Sequence, residues 1–106
     1  MKFNDYQVQV LAHARYPGTV SYTALGLCGE AGEFAEKLKK ILRDDGGAIT
    51  PAHVTALTKE LGDVLWYIAA AASELGVELE DVAVRNLEKI AGRRRRGTLG
   101  GSGDDR

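Results

Sequence analysis

The sequence predicts an all-α protein, a small bundle of four helices, and three observations carry that prediction. Apolar residues recur at helical spacing in four separate stretches. Clear breakers divide those stretches, at Tyr16-Pro17-Gly18, at Asp44-Asp45-Gly46-Gly47 and at Gly76. No segment alternates apolar and polar residues as a half-buried strand requires. At 106 residues the chain has room for one small domain, and its 44% hydrophobic and 27% charged content is that of a globular protein and not of a disordered one. A domain this small buries a modest share of its surface, so self-association enters the argument from the start.

The first helix runs from about Asn4 to Arg15, with Phe3, Tyr6, Val10, Leu11 and Ala14 on one face. The second spans about Ser21 to Arg43 and stops at the paired aspartates and glycines. Thr50 before Pro51 is an N-cap followed by proline at the first helical position, which opens a third helix reaching Leu75, with Gly76 as its stop. A fourth runs from about Leu79 to Arg93. These helices make a domain over residues 1–96, and residues 97–106, rich in glycine, form a tail expected to be flexible.

Several function classes fall away on composition. No apolar run approaches the roughly 20 residues a membrane-spanning helix needs. Residues 1–5 open no signal-peptide apolar region, and the single cysteine, Cys28, excludes an intramolecular disulfide framework. A cytoplasmic protein is expected. The net charge of −1 hides an asymmetry: residues 1–92 carry nine basic against thirteen acidic residues, while Arg93, Arg94, Arg95 and Arg96 close the last helix. An acidic body beside a basic terminus suits a cation site next to an anionic ligand. The arginines also complement the helix dipole, and as a nucleic-acid site they lack an aromatic platform.

The informative feature is an echo between the second and third helices at an offset of 30 residues. Leu27 to Phe34 lines up with Leu57 to Val64, and each segment holds two acids three residues apart with a glycine just before the second. Leu27, Ala31, Phe34, Leu38 and Ile41 form one apolar stripe, and Leu57, Leu61, Val64 and Ile68 the other. Glu30 and Glu60 border their stripes in the same phase, with Glu33 and Asp63 about 60° further toward the polar side. If the helices pair antiparallel through these stripes, all four acids converge on one edge of the seam. Clustered carboxylates repel one another, and a hard divalent cation such as Mg²⁺, or Mn²⁺ in its place, relieves that with oxygen ligands alone. A di-iron bundle is excluded, since neither His13 nor His53 lies three residues after a glutamate.

Lys37 and Tyr67 each lie four residues beyond the second acid of their pair, which places both at the carboxylate edge. On the fourth helix Leu79, Ala83, Leu87 and Ile90 define an apolar stripe, Asn86 falls in the same arc, and Lys89 and Arg93 lead off its edge. A buried asparagine must find partners. Tyr6, Gln9, His13, Tyr16 and Tyr22 are polar side chains of the first helix and the connection after it, available as ligand contacts. Gly62, Trp66, Ala69 and Ser73 give the third helix a second packable face, which four short helices are not expected to enclose without a partner copy.

The stretch 26–40 (GLCGEAGEFAEKLKK), then 59–67 (KELGDVLWY), then 86–89 (NLEK) resembles the MazG-like all-α nucleotide pyrophosphohydrolases over roughly residues 4 to 95. The resemblance implies Mg²⁺-dependent cleavage of ribo- or deoxynucleoside triphosphates between the α- and β-phosphates, releasing monophosphate and pyrophosphate. It implies Glu30, Glu33, Glu60 and Asp63 as metal ligands, one of them also orienting or deprotonating the attacking water. It places Asn86 against sugar or metal-bound phosphate and Lys89 against a phosphate oxygen. With a triphosphate as ligand, Lys37 becomes a phosphate contact, Tyr67 a hydroxyl or stacking surface, Arg93 to Arg96 a basic end that steers the phosphates inward, and Tyr6, Gln9, His13, Tyr16 and Tyr22 contacts for a base that is not named. It also implies a homodimer or homotetramer whose sites are completed across subunits. A non-catalytic helical interaction module and a nucleic-acid-binding bundle using the arginine tail are the competing readings.

Overall fold

In the computed structural model, which describes residues 1–17 and 20–106, the chain forms α1 (Phe3–His13), α2 (Val20–Asp45), α3 (Pro51–Glu74) and α4 (Leu79–Arg96). There is no strand among the described residues. Each boundary has a local cause. α1 stops two residues earlier than the spacing predicts because Ala14 turns extended and the Arg15 guanidinium takes the carbonyls of Ala12 and Ala14. At the start of α3 the Thr50 hydroxyl accepts the His53 N–H at 3.2 Å, and the His53 ring accepts the Thr50 N–H at 3.1 Å, a reciprocal cap with proline next to it. Gly76 takes φ +72°, the left-handed conformation that closes a helix, and α4 continues to Arg96 before Gly97 does the same. Four arginines in the last turn suit the negative end of the helix dipole.

α2 and α3 make the dominant pairing. It is antiparallel, as successive contacts of Asp45 with His53, Lys37 with Glu60 and Gly26 with Tyr67 show. α1 packs on the other side of α3, and α4 packs on α1 and α3 while staying clear of α2 among the described residues. Val10, Ala69, Ala70 and Leu79 are buried at the centre, with Tyr6, Tyr16, Trp66 and Ile68 packed around them. The small side chains of Ala69 and Ala70 let α1 come close to α3. Part of the second face of α3 is covered within the chain: Ala69 is buried and Trp66 and Ser73 are half-buried against α1 and the segment after it, while Gly62 stays exposed.

The junction of α1 with α4 is polar and specific. Gln7 is buried; its amide donates to the Ser73 hydroxyl and the Val77 carbonyl, each at 3.0 Å, and its oxygen accepts the Leu79 N–H at 2.8 Å. Asn4 accepts the Glu80 N–H at 3.1 Å and donates to Glu78. Two side chains of α1 therefore satisfy the orphan donors at the start of α4.

Beyond that anchor the expected stripe of α4 is not covered. Leu79 is buried and Ala83 half-buried, but Leu87 is 70% and Ile90 41% exposed. Asn86 is exposed too, which corrects its reading as a buried amide: among the described residues no element packs over that part of α4. The seam stripes hold in most positions, with Ile41 and Leu57 buried and Leu27, Phe34, Leu38, Val64 and Ile68 half-buried. Ala31 and Leu61 depart from it and face outward.

Candidate metal centre and nucleotide cleft

The antiparallel pairing brings carboxylates of two helices together. One oxygen each from Glu30 of α2 and from Glu60 and Asp63 of α3 lie within 4.8 Å of one another. Glu30 and Glu60 are half-buried and Asp63 is exposed. Donors on a Mg²⁺ octahedron are about 3.0 Å apart when adjacent and about 4.2 Å when opposite, so the three oxygens can share one small divalent cation once their side chains draw together. All three donors are hard oxygens, and three protein ligands leave coordination positions for water and phosphate. Glu33 stands apart: it is exposed and does not belong to the triad, although Asp63, at the equivalent phase on α3, does.

The electrostatics match a site that awaits positive charge. Burial, with the charges of Asp63, Glu60 and Glu33, holds the Glu30 carboxyl above the usual carboxylate range. Lys37 supplies a cation, its Nζ 2.7 Å from Glu60 Oε1, and that hydrogen bond, with the charges of Glu60, Glu33 and Asp63, pushes its ammonium up. Lys37 thus stands at the carboxylate edge, engaged with an acid.

Beside the acids lies an open cleft of about 300 Å³ lined by Glu30, Asp63, Trp66 and Tyr67. The Trp66 and Tyr67 rings meet edge to face at 5.1 Å, and Tyr16 is edge-on to Trp66 at 6.1 Å while stacking on Tyr22 at 5.0 Å. The Tyr16 hydroxyl donates to Glu74 at 3.0 Å. Burial chiefly, then Tyr22 and Glu30, raises the Tyr67 phenol. Trp66 also walls a second cavity of about 320 Å³ that collects Tyr6, Gln9 and His13. Sequence reasoning placed Trp66 on a packing face and missed its role in the cleft, although its position directly before Tyr67 was a usable signal.

The residues of α4 form a separate group. Asn86 and Lys89 line a cleft of about 350 Å³ with Val82 and Arg85, and none of these lines the acid cleft. Lys89 donates to Asp104 at 3.3 Å. Arg93 is buried beneath residues 103–104, donating to the carbonyls of Gly103 and Asp104 and to the Asp104 carboxylate. Residues 97–106 thus lie back on α4. No helix among the described residues is long and apolar enough to cross a membrane.

Comparison with known proteins agrees with this geometry. Residues 19–98 match the MazG nucleotide pyrophosphohydrolase domain. The chain is also 46% identical, over 114 aligned positions covering the whole of both chains, to the Gene 37 protein of Mycobacterium phage L5. No solved structure matches it significantly. With the domain match spanning most of the chain, including both acidic segments and the start of the tail, the protein belongs to the MazG nucleotide pyrophosphohydrolase family.

Proposed function

We propose that the protein is a homo-oligomeric, Mg²⁺-dependent nucleoside triphosphate pyrophosphohydrolase that splits ribo- or deoxynucleoside triphosphates into monophosphate and pyrophosphate. Its role is nucleotide-pool housekeeping in the cytoplasm. One observation carries the reading: carboxylate oxygens of Glu30, Glu60 and Asp63 converge within 4.8 Å at the mouth of an aromatic-walled cleft. These three acids hold the cation, Mg²⁺ or Mn²⁺, with Glu33 as a fourth carboxylate one turn along α2. When bound, the cation neutralises charge on the phosphoryl oxygens and favours ionisation of water.

The chain's own groups do the rest. A carboxylate of the cluster orients the attacking water and accepts its proton. Lys37 turns from Glu60 to a phosphate oxygen, and Tyr67 borders the nucleoside. Asn86, Lys89 and Arg93 bind substrate from α4. In one copy Asn86 and Lys89 line a different cleft from the acids and Arg93 lies beneath residues 103–104, so the reading includes a dimer or tetramer in which α4 of one copy reaches the acid cleft of another. The exposed Leu87 and Ile90 beside Asn86 are the apolar surface such an assembly covers.

The test is pyrophosphate release from a panel of ribo-, deoxy- and modified triphosphates with Mg²⁺, comparing the wild type with Glu30→Gln, Glu60→Gln and Asp63→Asn. Turnover by the wild type, lost in each variant with folding retained, supports the proposal. A folded wild type inactive on every substrate favours the interaction module.

A further inference from the structure

Gly26 occupies an interior position of α2, where alanine would be the better helix former. A Cβ built there would fall inside the van der Waals surface of Cε1, Cζ and Cδ1 of Tyr67. The phenol ring therefore rests directly on the α2 backbone. Gly29, Gly32 and Gly62, the other glycines near the acids, would carry a Cβ into open space, so the close approach is confined to Gly26. The ring has little freedom to retreat: Trp66 stands edge-on at 5.1 Å, and the phenol shares a hydrogen bond with Tyr22.

The location ties this contact to the acid cleft. Gly26 is four residues before Glu30 on α2, and Tyr67 is four residues after Asp63 on the antiparallel α3. The ring and its glycine thus lie one helical turn from the carboxylates, about 5–6 Å along the seam. A nucleoside whose phosphates are held at the acids can reach that height. Resting on the hydrolase reading above, we infer that Gly26 is a positioning residue: it seats the Tyr67 ring on α2 and so fixes the aromatic wall against which the nucleoside part of the substrate lies. It acts only through Tyr67.

That dependence yields a test with a change of sign. The full chain is compared as wild type, Gly26→Ala, Tyr67→Ala and the double variant, reading Tm, Mn²⁺ affinity by calorimetry and affinity for non-hydrolysable α,β-methylene nucleoside triphosphates. In the wild-type background Gly26→Ala lowers Tm by overpacking and weakens the analogue by about fivefold or more, the loss of a stacking surface. Mn²⁺ affinity without nucleotide stays the same. In the Tyr67→Ala background the same substitution raises Tm by about 4 °C or more, because only the helix preference for alanine remains. It has no further effect there on the analogue.

A Gly26→Ala variant that does not fold, rescued by Tyr67→Ala, supports the inference. A double variant that does not fold where Tyr67→Ala does overturns it, as does an equal effect of Gly26→Ala in both backgrounds. So does analogue affinity unchanged in Gly26→Ala. A wild type that binds the analogue, shows the sign reversal and hydrolyses nothing overturns the hydrolase reading instead.

Discussion

Replacing Gln7 with alanine removes three hydrogen bonds that join α1 to the α3–α4 turn. The costliest loss is at Leu79, a buried residue whose N–H has the Gln7 oxygen as its partner at 2.8 Å. Leaving such a donor unsatisfied costs about 1–3 kcal/mol, and the lost bonds to Ser73 and Val77, whose acceptors can reach water, add roughly 1 kcal/mol. A total of about 2–4 kcal/mol is a large part of the ~5–15 kcal/mol available to a domain. In a chain of this size it lowers Tm by roughly 10–25 °C. Thermal unfolding followed by circular dichroism at 222 nm reads the effect directly. Gln7→Glu is the informative second variant: it keeps the acceptor for Leu79 but turns an oxygen toward the Val77 carbonyl, so it too destabilises. Asn4→Ala costs less because its Glu80 contact is exposed. A fall below about 3 °C for Gln7→Ala would refute the claim that this amide anchors α4.

Three further outcomes follow from the acid cluster. Because the folded environment raises the Glu30 pKa, its protonated form stabilises the fold below the ordinary carboxylate range, and that contribution is lost as pH rises through the raised value. The metal-free wild type therefore loses Tm relative to Glu30→Gln as pH rises through this window, and a parallel pH series on both proteins would show no divergence if the cluster were not formed. Lys37→Met removes a cation competing for Glu60, so Mn²⁺ binds more tightly by calorimetry while turnover falls; weaker metal binding contradicts the placement of Lys37. Mg²⁺ at a hundred times its Kd stabilises the wild type by about 2.7 kcal/mol. Thermal shift assays should show this gain absent from Glu60→Gln.

The elements that were legible in the sequence are those with local causes. Pro17, Gly46, Gly47, the Thr50-Pro51 cap and Gly76 act within a few residues, so the four helices emerge close to their observed bounds. Convergence of Glu30, Glu60 and Asp63 was legible because helical phase and one antiparallel pairing determine it. Glu33 was grouped with them on spacing and lies outside the triad, while Asp63, at the equivalent phase on α3, lies within it, so phase alone did not separate the two. What covers an apolar stripe is a different matter, since amphipathicity marks a face without naming its partner. Trp66 and Ala69 look outward in sequence but meet α1, while Leu87 and Ile90 look inward and remain exposed. The bond from Leu79 to Gln7 spans 72 positions and leaves no local trace. Gly26 left no distinguishing trace either, since Gly29, Gly32 and Gly62 also lie inside α2 and α3 and a Cβ at each would meet open space.

The most direct test of the account is ³¹P NMR of a deoxynucleoside triphosphate incubated with the protein and Mg²⁺, then with EDTA. The account predicts monophosphate and pyrophosphate appearing in equal amounts, arrest on chelation, and no reaction with Glu60→Gln. Diphosphate with orthophosphate, or the same products at the same rate in EDTA, would contradict the claim that these carboxylates hold a cation for cleavage between the α- and β-phosphates.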